Sequence, residues 1–73
     1  MTRARDLNLV RLRREELGLL LVDLARKIDR SPAFVSGVEG GYVPKLPAMV
    51  LIADALETTP IALWPGEVEE IGQ

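Results

Sequence analysis

The sequence predicts an all-α fold of five short helices, and three observations carry that prediction. Leu21, Leu24, Ala25 and Ile28 recur at i, i+3, i+4 and i+7, the spacing that puts side chains on one helix face. Ser31-Pro32 and Thr59-Pro60 repeat one start signal, a hydroxyl at the N-cap followed by a proline in the first turn. No stretch alternates apolar and polar residues with the period of two that a half-buried strand requires.

The elements follow in chain order. Asp6 caps a first helix running to about Leu17, where Gly18 supplies the left-handed stop; Leu9, Val10, Leu12 and Leu17 are its apolar positions. The second helix runs from about Leu20 to Asp29. The third opens at Pro32 behind the Ser31 cap, turns Val35 and Val38 inward and ends near Gly40-Gly41. Tyr42–Lys45 is a loop containing Pro44. Pro47 starts a fourth helix with Met49, Ile52, Ala53 and Leu56 inward, and a short fifth helix spans Pro60 through Trp64. Pro65-Gly66 ends it. Residues 1–7 read as a basic N-terminal arm, 8–65 as one domain and 66–73 as an acidic tail.

Composition removes most catalysis. The 73 residues include no Cys and no His, which excludes a thiolate nucleophile, an imidazole base, a zinc site of the usual kind and any disulfide. The carboxylates Asp23, Asp29, Glu39 and Asp54 stand at spacings of ordinary surface or capping residues, so no catalytic site, metal, cofactor or small-molecule substrate is expected. The net charge of −2 hides an asymmetry. Residues 1–30 hold eight of the nine basic residues against five acidic ones, while residues 31–73 hold Lys45 against six acids. A split of this kind reads either as one basic face or as a solvated helix face followed by a solvating acidic tail.

Nothing in the chain reads as an export or membrane signal. Residues 1–8 are polar and basic, and no apolar stretch approaches the roughly 18 residues of a membrane span. The Leu17–Val22 run is interrupted by Gly18 and too short for a signal core. A soluble cytoplasmic protein is the expectation.

A particular architecture emerges from the second and third helices, which only Asp29 and Arg30 separate from the Ser31 cap. That is the spacing of a helix-turn-helix. The pattern Leu24-Ala25-x-x-Ile28-x-x-Ser31-x-x-x-Val35-Ser36-x-Val38-Glu39-x-Gly41 resembles the XRE family of Cro-type helix-turn-helix DNA-binding domains. Downstream, Ile52-Ala53-Asp54-Ala55-Leu56 is similar to the family's fourth helix and Thr59-Pro60-Ile61-Ala62-Leu63-Trp64 to its fifth, so the likeness covers roughly residues 9–64.

The resemblance implies a five-helix lambda-repressor-like bundle that binds duplex DNA as a homodimer, a phage or bacterial transcriptional regulator of repressor type. The helix at 32–39 would enter the major groove. Ser31, Pro32, Ala33, Phe34, Ser36 and Gly37 are then the base-facing set. Arg3, Arg5, Arg13, Arg14, Arg26, Lys27, Arg30, Tyr42 and Lys45 are the candidate phosphate contacts. Glu39 is a family hallmark whose expected role is structural, a bond to an arginine or to backbone within the bundle.

The departures are informative. Family base-reading positions fall on Pro32, Ala33 and Gly37, whose side chains neither donate nor accept hydrogen bonds, so direct readout is weak and Ala33 or Phe34 meets at most a thymine methyl. Phe34 has an equal alternative in packing beneath the second helix. Leu20-Leu21-Val22 replaces the family's Thr/Ser-Gln-Glu, losing a cap worth about 1 kcal/mol and a phosphate-binding Gln. The family's Leu ahead of the Arg-Glu-Glu run falls on Arg13. The Leu19–Val22 succession cannot all face one core, which makes Leu20, Leu21 and Val22 a candidate partner interface, the alternative being a shifted helix start that buries three of the four. The resemblance implies Leu63 and Trp64 as further dimer contacts. The alternative function is therefore a helix-turn-helix fold used as a protein–protein interaction or oligomerisation module.

Overall fold

Within residues 8–68, which the computed structural model describes, the chain forms five helices and no strand. They are α1 (Leu9–Glu16), α2 (Leu21–Lys27), α3 (Pro32–Glu39), α4 (Leu46–Ala55) and α5 (Pro60–Leu63). Local chemistry sets each start. Asn8 caps α1, its Oδ1 accepting from the Arg11 N–H at 3.0 Å, whereas Asp6 lies outside the described residues. Leu20 has no capping group, so Asp23 in the first turn of α2 accepts from the Leu20 N–H at 2.8 Å. Ser31 Oγ accepts from the Phe34 N–H and Thr59 Oγ1 from the Ala62 N–H, at 3.1 and 3.3 Å. The fourth helix begins at Leu46, one residue before Pro47, because a proline is as well accommodated anywhere in a first turn, where its missing N–H has no helical partner.

Four helices close with the same turn. In each, a residue of positive φ lets the next N–H reach back to the carbonyl five residues earlier, the Schellman arrangement. These bonds run from Leu19 to Arg14, Arg30 to Ala25, Tyr42 to Gly37 and Thr58 to Ala53, at 2.9–3.0 Å. Glycines occupy the left-handed position after α1 and α3, but Asp29 (φ 57°) and Glu57 (φ 58°) occupy it after α2 and α4.

The core is aliphatic except for one indole. Val10, Leu24, Ala25, Ile28, Val35, Val38, Met49, Ile52, Ala53, Leu56, Leu63 and Trp64 are buried together, with Leu9, Leu17, Leu19, Leu21 and Phe34 half-buried around them. Leu24 and Leu56 are completely enclosed, each contributing about 1.5–3 kcal/mol by transfer from water. Leu12, by contrast, is 40% exposed. Its neighbour Arg13 takes the inward place, donating from Nε to the Leu56 carbonyl at 2.9 Å and from Nη2 to the Glu57 carbonyl at 3.2 Å. A cation thus sits on the unpaired carbonyls that end α4, where the helix dipole favours it.

Polar bonds from α1 fix the position of α3. Asn8 Nδ2 donates to the Val38 carbonyl at 3.1 Å. Arg14 pairs with Glu39 through two hydrogen bonds and donates a third, 2.8 Å long, to the Leu19 carbonyl. The result is a rigid seat for α3, held at its C-terminal end by α1 and along its inner face by α2.

Candidate nucleic-acid interface

The most extensive contact between helices in the bundle is that of α2 with α3. Ala25 makes it possible: its methyl is buried, and nothing larger keeps the two helices apart. Asp29 reverses the chain in a left-handed turn, and the Arg30 N–H closes it on the Ala25 carbonyl. Ser31 then opens α3 at once. This link of Ile28–Ser31 sets Arg30 beside the start of α3 and leaves the outer side of that helix bare.

The exposed residues of α3 are Pro32, Ala33, Ser36 and Gly37, preceded by Ser31. Ser31 Oγ is occupied as the cap, so Ser36 carries the one free side-chain hydroxyl of this surface. Phe34 is turned toward the bundle, half-buried against the core, with its ring edge-on to Tyr42 at 6.3 Å between centroids. This contact agrees with the packing alternative for Phe34, while Ala33 is exposed. The space beside Gly37 is open, and a methyl group added there would meet no heavy atom within 4 Å.

Apart from Arg11, which pairs with Glu15 on the surface of α1, the described cations divide into two groups. Arg26, Lys27, Arg30 and Lys45 are exposed and enter no ion pair among the described residues. Arg30 makes one long bond, 3.3 Å, to the Asp29 carbonyl. Arg13 and Arg14, the other pair of candidate phosphate-binding cations in the described chain, bond to other parts of the bundle. Arg13 binds α4 carbonyls and Glu16, and Arg14 is held by Glu39 and Leu19. The Arg14 and Glu39 side chains are only 11% and 8% exposed, and the hydrogen bond to Glu39 raises the Arg14 pKa against the opposing effect of burial. The Arg14 guanidinium is therefore largely enclosed, whereas Arg13 keeps 32% of its side chain exposed. Tyr42 is exposed at the end of the α3 turn, and Arg3 and Arg5 lie outside the described residues.

The candidate partner residues also separate. Leu20 is 65% exposed and Val22 is exposed, while Leu21 is half-buried. Leu63 and Trp64 are core residues, enclosed where α5 packs on α1 and α4, and give no surface to a partner. What the sequence reading missed is the outer side of α4, where Leu46, Pro47, Val50 and Leu51 are exposed. The signal was present: Leu46–Ala55 contains a single charged residue, Asp54.

Compared with known proteins, the chain matches no family model, no curated protein and no solved structure. No helix among the described residues is long and apolar enough to cross a membrane.

Proposed function

We propose that the chain is a transcriptional regulator of phage or bacterial repressor type that binds duplex DNA as a homodimer. In this reading the five helices form a lambda-repressor-like bundle, α2 and α3 are its helix-turn-helix, and α3 enters the major groove. The observation that carries it is the set of cations Arg26, Lys27 and Arg30, on α2 and its exit turn and unpaired among the described residues, in the same helix-turn-helix as the bare, small-residue surface of α3. The XRE-type wording of Leu24–Gly41 agrees with that arrangement.

Chemically, such a surface binds charge before it reads sequence. Three cations per copy neutralise phosphates and release counterions, which gives affinity for any duplex. Ser36 supplies one hydroxyl and Ala33 one methyl-sized contact for a thymine methyl, so base readout is thin. Sequence preference then comes from groove shape and deformability at the docked site. Replacing Arg26 and Arg30 together by Ala tests the assignment. Binding should weaken alike on all duplexes and the salt slope should flatten by about 3.6, roughly 0.9 for each of the four cations lost from the dimer. Unchanged binding would exclude this face.

A second reading is favoured by a separate observation. Leu20, 65% exposed at the start of α2, and the scarcity of polar side chains on α3 suit a helix-turn-helix fold used as a protein-interaction module. A chain that fails to bind any duplex at low salt while Leu20→Ser with Val22→Ser changes its assembly state would favour that reading.

A further inference from the structure

The fourth helix packs one side on the core and leaves the other uncovered. Met49, Ile52 and Ala53 are buried, whereas Leu46, Pro47, Val50 and Leu51 are exposed. Helical spacing sets Leu46, Val50 and Asp54 in one row and Pro47 and Leu51 in the next, so these residues form one continuous stripe. A helix apolar on every side is ordinarily enclosed on every side. Here the chain encloses only one.

The charges at the two ends of the stripe identify what covers the other. Exposed Lys45 stands at the N-terminal end, and exposed Asp54 and Glu57 stand at the C-terminal end. None of the three enters an ion pair among the described residues. Next to Leu51 the surface is concave, a shallow hollow of about 330 Å³ lined by Lys27, Leu51, Asp54, Ala55 and Glu57. With Lys27 beside Asp54 and Glu57 the C-terminal end keeps one net negative charge, so a stripe positive at one end, negative at the other and apolar between complements a copy of itself turned through a half-circle.

We propose that two copies of the chain pair through α4, antiparallel, about a two-fold axis at Val50. Leu46 and Asp54 stand equally far from Val50 in sequence, so the axis sets Leu46 of each copy over the partner's hollow beside Leu51. Lys45 of each copy meets the partner's Asp54 and Glu57. Antiparallel packing also opposes the positive start of each helix to the negative end of the other. This inference rests on the homodimeric part of the reading above and gives it a surface. Its test contains no DNA, so its failure is separate from a failure of DNA binding.

The test is sedimentation equilibrium of the full chain over a wide concentration range, with circular dichroism to follow folding. The wild type is expected to reach dimer mass. Val50→Glu, which sets two carboxylates against each other at the axis, should give a folded monomer. Lys45→Glu alone should weaken association about tenfold or more, and Lys45→Glu combined with Asp54→Lys should restore it. The swap uses exposed positions and decides the matter even if Val50→Glu disturbs folding. A wild type that stays monomeric throughout, a dimer indifferent to the charge reversal, or a swap that does not rescue would overturn the proposal. So would dispersal of the dimer by Leu20→Ser with Val22→Ser.

Discussion

Arg14 of α1 grips Glu39 at the end of α3, with Nε 2.6 Å from Oε2 and Nη2 3.1 Å from Oε1. The two side chains are almost fully buried, and Nη1 of the same guanidinium donates to the Leu19 carbonyl. This two-pronged geometry suits arginine in particular, since its planar fork matches a carboxylate. It joins the first helix, the turn after it and the end of α3, the helix proposed to enter the groove.

Breaking one partner of this pair should be costly. Glu39→Ala leaves a guanidinium buried without its carboxylate, with an expected loss of about 3–5 kcal/mol. Removing both partners, as Arg14→Met with Glu39→Leu, should recover most of that loss, because no buried charge remains unpaired. Urea denaturation of the two single variants and the double variant measures it. A single-variant cost below about 1 kcal/mol, the level of a surface pair, would contradict the account.

The helix exits make a prediction of the opposite sign. Asp29 and Glu57 hold left-handed backbone, with φ near 57° and 58°. That conformation costs an L-residue about 1–2 kcal/mol, part of which glycine regains after its own entropy loss. Asp29→Gly and Glu57→Gly are each expected to add about 0.5–1 kcal/mol and to raise Tm by several degrees. Gly18→Ala, at φ 72°, should lower Tm. Calorimetry on the three variants checks both directions.

Gly37 separates stability from binding. Glycine inside a helix costs about 1 kcal/mol relative to Ala, and a methyl here meets nothing in the chain. Gly37→Ala is therefore expected to stabilise the fold by about that amount and, on the proposed function, to weaken duplex binding, because the added methyl stands on the proposed docking side of α3. Thermal melts and duplex titrations of the same variant give the two numbers. Tighter binding would move the docking surface elsewhere.

The parts of this fold legible in the sequence are those governed by local chemistry. Ser31-Pro32 and Thr59-Pro60 announced α3 and α5, and the spacing of Leu24, Ala25, Ile28 and of Met49, Ile52, Ala53, Leu56 named the inward faces. Long-range choices were not legible. Whether Arg13 and Arg14 serve the interior or a ligand depends on carbonyls and a carboxylate brought from α3, α4 and the turn before α2. Leu63 and Trp64 sit in and just after a helix of four residues, too short for periodicity to tell core from surface. Asp29 and Glu57 carry no mark of a left-handed exit, because the expected residue there is glycine. At the candidate interface, the small surface of α3 was readable residue by residue, but which cations stand free beside it required the packed bundle.

The central claim is that the cations of α2 and its exit turn, unpaired among the described residues, dock on phosphates. Titration of the wild-type chain with random duplex DNA, followed by fluorescence anisotropy across a salt series, tests it most directly. Arg26, Lys27 and Arg30 in two copies, at about 0.9 per phosphate contact, predict firm binding at about 50 mM salt and a log–log slope near −5. Absence of binding at that salt, or an affinity indifferent to salt, would contradict it.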